Sequence, residues 1–318
     1  MSEHDQNYGG APPTGTQYDA GDEKSAETAT AQAGGELRQS SLWGDAWRSL
    51  RRNPFFLIGA VLFLVFTVMA IAPTLFTNAN PRDCDLSRSA QGPSAQAWFG
   101  YDVYGCDYFA NVVHGARVSM SIGVLTVAAV LIIGVLLGSL AGYYGGWVDA
   151  LLARLADVFF GIPLLLGALM LLSVQEDRGV LQVALALIAF GWMTAMRLVR
   201  STVISVRGAD YVQAARALGA RPRRMLMRHI LPNAVAPVLV YATIAVGTII
   251  AAEATLTFMG VGLQQPEMSW GLQINAAQNR LREAFHLILF PSVFLSLTVL
   301  SFILMGDALR DALDPKLR

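Results

Sequence analysis

Charge is scarce in this chain: Asp, Glu, Lys and Arg make up 14% of its 318 residues, against 54% hydrophobic residues. A soluble domain cannot cover its surface at that ratio, so lipid must be part of the solvent. Lysine is scarcer still, with only Lys24 and Lys316. Neither sits in a G-x-x-x-x-G-K-[ST] phosphate loop, which excludes ATP binding by that route. The four histidines, His4, His114, His229 and His286, and the two cysteines, Cys84 and Cys106, are spread over distant segments without metal-ligand spacing. A membrane-embedded enzyme would need a convergent nucleophile, base or metal, and none is seen. The sequence therefore predicts no catalytic residue, no metal site and no bound cofactor, and suggests no nucleic-acid partner.

What is present is unevenly placed. Residues 1–40 hold seven acids against Lys24 and Arg38, so the rest of this formally neutral chain is basic by five. That stretch is rich in Gly, Ala, Ser, Thr and Gln, carries Pro12 and Pro13, and is expected to be a disordered tail. Neither a basic start nor an apolar core precedes Phe55, so the N-terminus is expected to be kept.

Six apolar runs follow, at 55–76, 118–142, 150–173, 180–199, 234–256 and 286–305. Each is long enough, or nearly so, to cross a hydrocarbon core of about 30 Å as a helix. The predicted fold class is an all-α membrane protein with six transmembrane helices. Between the fourth and fifth runs, residues 194–233 carry eight arginines against the single acid Asp210. Arginine collects on the cytoplasmic side. Arg48, Arg51 and Arg52 before the first run, and Arg310, Lys316 and Arg318 after the last, agree with both termini being cytoplasmic.

The segment 41–54 is expected to be an interfacial amphipathic helix with Trp43, Trp47 and Leu50 on one face, although a solvated basic stretch would share its charges. The longest connection, 77–117, then lies outside the cytoplasm and contains both Cys84 and Cys106. An oxidising compartment favours a disulfide between them over two free thiols. Asp102 and Asp107 in the same loop are expected to cap or brace it.

Gly134, Gly138 and Gly142 recur every fourth residue and offer a smooth helical face for close approach. Pro163 and Pro291 predict kinks, either static or hinge-like. Arg154 and Asp157, three apart, suggest a helix-surface ion pair. Glu253 falls near the outer end of the fifth run.

The most specific motif is in the arginine-rich loop, 200–233. From Tyr211 it reads YVQAARALGARPRRMLMRHILPNA. Gln213, Ala214, Ala215, Arg216, Ala217 and Leu218 are good helix formers, and Gly219 can take the left-handed conformation that stops a helix, with Pro222 shortly after. Leu231 and Pro232 mark the start of the fifth span.

This stretch resembles the cytoplasmic loop of bacterial ATP-binding cassette (ABC) importer permeases, whose pattern is E-A-A, then Gly, then I-x-L-P. Ala214, Ala215, Gly219, Leu231 and Pro232 match, while Gln213 replaces glutamate and His229 replaces isoleucine. The resemblance spans about residues 43–318 and is closest to the C-type permease of the dipeptide, oligopeptide and nickel family. GARVSMSIG at 115–123, AGYYGGWVDALLARLADVFFGIP at 141–163, LTFMGVGLQQPEMSWG at 256–271 and MGDALRDALDPKLR at 305–318 each contribute. FGYDVYGCDYFANVVHGAR at 99–117 is similar to the family's G-T-D-x-x-G-R-D element, with Cys106 in place of Arg.

The resemblance implies a type I importer permease fold: a five-helix core over 118–306 and a cytoplasmic C-terminal tail at 307–318, in the bacterial cytoplasmic (inner) membrane. It implies a second homologous permease, two ATPase subunits or one two-headed ATPase that bind ATP and Mg, an extracytoplasmic solute-binding protein, and membrane lipid as partners. Tyr211, Gln213, Ala214, Ala215, Leu218 and Gly219 would dock on an ATPase, driving alternating access. Glu253 would either meet the amino terminus of an incoming peptide or reach interfacial water. Short peptides are the expected solute, with nickel or another small solute as the alternative. A self-sufficient channel or secondary transporter would have no need of this loop.

Overall fold

The computed structural model describes residues 42–313. The expected disordered tail and the last basic residues, Lys316 and Arg318, lie outside them, as does the Trp43 side chain. The described residues are mostly helical, and their only strand-like pairings are two isolated antiparallel bridges, Cys84 with Cys106 and Tyr101 with Asp107.

Ten helices carry the fold: α1 Leu42–Leu50, α2 Pro54–Ile71, α3 Tyr108–Tyr144, α4 Gly146–Phe160, α5 Leu164–Ser173, α6 Val180–Arg207, α7 Asp210–Ala217, α8 Leu231–Phe258, α9 Trp270–Ala277 and α10 His286–Leu313. Of the long apolar helices, α2, α3, α6, α10 and the continuous stretch Pro222–Phe258 can each cross a membrane. The third expected span is instead a pair, α4 and α5, bent by 75°, which brings the number of crossings to six if the pair counts as one. Proline supplies the reason. Pro163 lacks an N–H and disfavours helical backbone at Ile162, so the helix stops at Gly161 and restarts at Leu164. Pro291 behaves differently, because α10 runs on through it.

Helix α1 corrects the expected apolar face. Ala46 and Leu50, four apart, stack together against Ala308 and Ala312 of α10. Trp47 is one residue round the helix from Ala46 and remains 56% exposed, with the Arg51 guanidinium 5.9 Å from its ring centroid. Pro54 then opens α2, whose first free amides, on Phe55 and Phe56, are capped by the Asn53 side chain.

The centre of the bundle is the pairing of α3 with α6. A methyl group added at Gly134 would lie 2.5 Å from Ala195 Cβ, at Gly138 2.5 Å from the Met196 carbonyl oxygen, and at Gly142 2.8 Å from the Arg200 carbonyl oxygen. The every-fourth-residue glycines therefore let the two backbones meet, and dispersion between them replaces the hydrophobic drive that lipid cannot provide. Two ion pairs fix α4 to the same helix. Arg200 binds Asp149 through two hydrogen bonds, the second at 2.7 Å, and Arg197 reaches Asp157 at 2.5 Å. Asp157 thus pairs across helices and not with Arg154, because Arg197 is held over the Phe160 ring at 4.3 Å, within reach of it.

Candidate functional site

The arginine-rich end presents α7. Asp210 in its first turn suits the positive end of the helix dipole. Val212 is buried and anchors the helix in a cluster with Val199, Val203, Met225 and Ile230. Termination follows a Schellman pattern: Ala220 N–H donates to the Ala215 carbonyl at 3.2 Å and Gly219 N–H to the Arg216 carbonyl at 3.0 Å. Gly219 has φ +79°, the left-handed conformation that its lack of a Cβ permits.

The sequence-selected loop residues divide between two faces. Tyr211, Gln213, Ala214, Leu218 and Gly219 are exposed, Leu218 by 89% and Tyr211 by 48%. Ala215 is half-buried against the valine cluster. The chain then makes one helical turn at Pro222–Arg224, widens into π-helical turns over Met225–Ile230, and continues as α8 from Leu231 and Pro232. π-turns inside a helix recur at functional sites, and nothing in the sequence signalled this one. Also missed was the exposed Gln213 side chain reaching back to the end of α6, its Nε2 donating to the Arg207 carbonyl at 3.0 Å.

At the opposite end the loop between α2 and α3 is tied down. Cys84 and Cys106 form a disulfide. Asp107 caps α3 by accepting from Ala110 N–H at 2.8 Å. Asp102 accepts from the Tyr104 and Cys106 amides, each at 2.8 Å, and from the Asn111 side chain at 3.0 Å. Burial raises the Asp102 carboxyl above the usual carboxylate range, opposed by the amides of Cys106, Tyr104 and Gly105.

Helix α9 is wedged beneath this loop. Trp270 is fully buried, its Nε1 donating to the Val112 carbonyl at 2.9 Å, and Gln273 Nε2 donates to the Asn111 carbonyl at 2.7 Å. Between loop and wedge lies a cavity of about 620 Å³ bounded by Asp102, Tyr104, Asn111, Met268, Ser269 and Gln273.

Glu253 lies behind that cavity, wholly buried and not at interfacial water. Its Oε1 accepts from Thr257 Oγ1 at 2.9 Å and from Ser269 Oγ at 3.2 Å, so it joins α8 to the residue that caps α9. Among the described residues no group of three or more His, Cys, Asp or Glu could hold a metal ion.

Comparison with known proteins agrees with this architecture. Residues 134–318 match the family model of the binding-protein-dependent transport system inner membrane component, and residues 41–93 match the N-terminal transmembrane domain of oligopeptide transport permease C. The dipeptide transport system permease protein DppC of Alkalihalophilus pseudofirmus is 39% identical over 87% of this chain and 91% of its own length. The oligopeptide transport system permease protein OppC of Bacillus subtilis is 36% identical over 92% and 97%. The glutathione transport system permease protein GsiD of Escherichia coli is 38% identical over 87% and 91%.

Among solved structures, the MetNI methionine ABC transporter in its inward-facing conformation shares the fold. Its TM-score is 0.52 at 17% identity, covering 64% of this chain and 96% of that one. With the family model covering more than half of the sequence and the permeases matching nearly end to end, the chain belongs to the inner membrane components of binding-protein-dependent ABC transport systems.

Proposed function

We propose that this subunit forms half of the pathway through which an ABC importer brings short peptides into the cell. The observation that carries the reading is α7: a short, exposed, sharply ended helix beside a bundle whose relatives are named as dipeptide, oligopeptide and glutathione permeases. The exposed small residues Ala214 and Gly219, flanked by Tyr211 and Leu218, allow the backbone of an ATPase groove to come close. The arginine-rich end faces the cytoplasm, and the disulfide-bonded end faces outward.

In this reading the chemistry of ATP and Mg belongs to two ATPase domains, on separate subunits or one two-headed chain, and solute arrives from an external binding protein. A second, homologous permease supplies the other half of the pathway. ATP-driven closure of the ATPases moves α7, and α3 with α6 carries that motion as a rigid pair towards the outer cavity. Glu253 serves the pathway indirectly, by holding the cap of α9, whose residues line that cavity.

Uptake of labelled di- to pentapeptides and of labelled nickel, in cells lacking the gene and in complemented cells, tests the assignment. Loss of peptide uptake alone is expected. Loss of nickel uptake with peptide uptake intact would replace the solute.

A further inference from the structure

The family pattern has glutamate where this chain has Gln213, and a carboxylate at that place could only accept hydrogen bonds. Here the Gln213 amide donates, at 3.0 Å, to the Arg207 carbonyl in the last turn of α6, where carbonyls lie beyond the helix's own ladder. Arg207 itself reaches in the other direction. Its Nη1 donates to the Tyr143 carbonyl at 2.7 Å and the Gly142 carbonyl at 3.3 Å, the last turn of α3. Three helices are thus joined in sequence, α7 to α6 through Gln213 and α6 to α3 through Arg207. A cavity of about 440 Å³, bounded by Gly142, Asp149, Arg207, Gln213 and Arg216, opens alongside, so on this side of α7 hydrogen bonds span a gap that apolar packing does not fill. Val212 anchors only the neighbouring face.

We propose that Gln213 is a positioning residue: its amide N–H, through Arg207, obliges α7 to move with the α3–α6 pair. The requirement is for a hydrogen-bond donor, and neither acidity nor side-chain size will replace it. The inference rests on the coupling role given to α7 above.

The test uses the whole transporter in proteoliposomes, with ATPases, companion permease and binding protein, carrying Gln213→Glu, Gln213→Leu or Gln213→Arg. Labelled peptide imported per ATP hydrolysed is measured together with copurification of the ATPase. Glu and Leu remove the donor and should lower import per ATP about fivefold, the equivalent of one ordinary hydrogen bond. Arg keeps a donor and should restore the parent ratio. Parent-like coupling in Gln213→Glu, or failure of Gln213→Arg alongside it, overturns the proposal. Loss of ATPase copurification in the Glu and Leu variants would assign Gln213 to the docking surface and overturn it equally. If the unmodified chain copurifies no ATPase, the coupling role of α7 falls first, and this inference with it.

Discussion

At the end of the bundle that holds Cys84 and Cys106, the structure is cross-linked and braced around a cavity of about 620 Å³; at the arginine-rich end α7 is exposed and held by Val212 and a few polar bonds. The first end has a disulfide, two aspartates each satisfied by amides, a fully buried tryptophan, and a buried glutamate shared between α8 and α9. At the second end α7 buries one side chain of its own, Val212, while its Leu218 is 89% in solvent. Elements with few buried apolar contacts open at low free-energy cost, whereas cross-linked cores do not. The contrast, a preformed wall at one end and an exposed helix at the other, supports the docking role proposed for α7.

Substitutions should separate the two ends by size and kind of effect. Trp270→Ala removes the side chain at the centre of the Phe66 and Phe294 cluster. It should cost about 3–5 kcal/mol, read as a sharp fall in folded subunit by thermal melting in detergent. Near-normal melting would mean that the wall is not preformed.

Replacing both cysteines by serine opens a loop with a sequence separation of 22 and should cost about 3 kcal/mol on the chain-entropy account. Reductant should lower the melting temperature of the parent and leave the double variant unaffected.

Gly219→Trp meets open space but must adopt a left-handed backbone, so it should lower stability by about 1–2 kcal/mol while uncoupling ATP hydrolysis from uptake. The φ of +79° adds a strain of about 1–2 kcal/mol for most residues but little for asparagine, so Gly219→Asn should transport better than Gly219→Ala. Normal uptake by the Trp variant would remove α7 from the coupling role.

Arg197→Gln breaks an ion pair whose partners are 44% and 52% exposed, and should shift stability by less than about 1 kcal/mol. A larger loss would show that the arginine-rich end is more tightly built than its exposure implies.

Much of this is legible in the sequence alone. Apolar runs of about 20 residues must be helices in lipid, because the backbone has no water to satisfy it there. Glycines at every fourth position had to lie on one face, and Gly219 could be read as a stop because its conformation is local. What depends on partners distant in sequence was not legible. Arg154 and Asp157 stood at ion-pair spacing, yet Arg197 on α6 took the aspartate. Trp47 and Leu50 looked like one face until α10 covered Leu50 and Ala46.

The sequence by itself determined the solvent, the helical class, the sharp end of α7 and the family, since each follows from composition, period or a contiguous motif. Only the tertiary structure decided that Pro163 divides a span while α10 continues through Pro291, and that Glu253 turns into the subunit. It also decided that Gln213 reaches back to Arg207. Those outcomes turn on which carbonyl or hydroxyl a neighbouring helix brings within about 3 Å, and no local pattern along the chain encodes that.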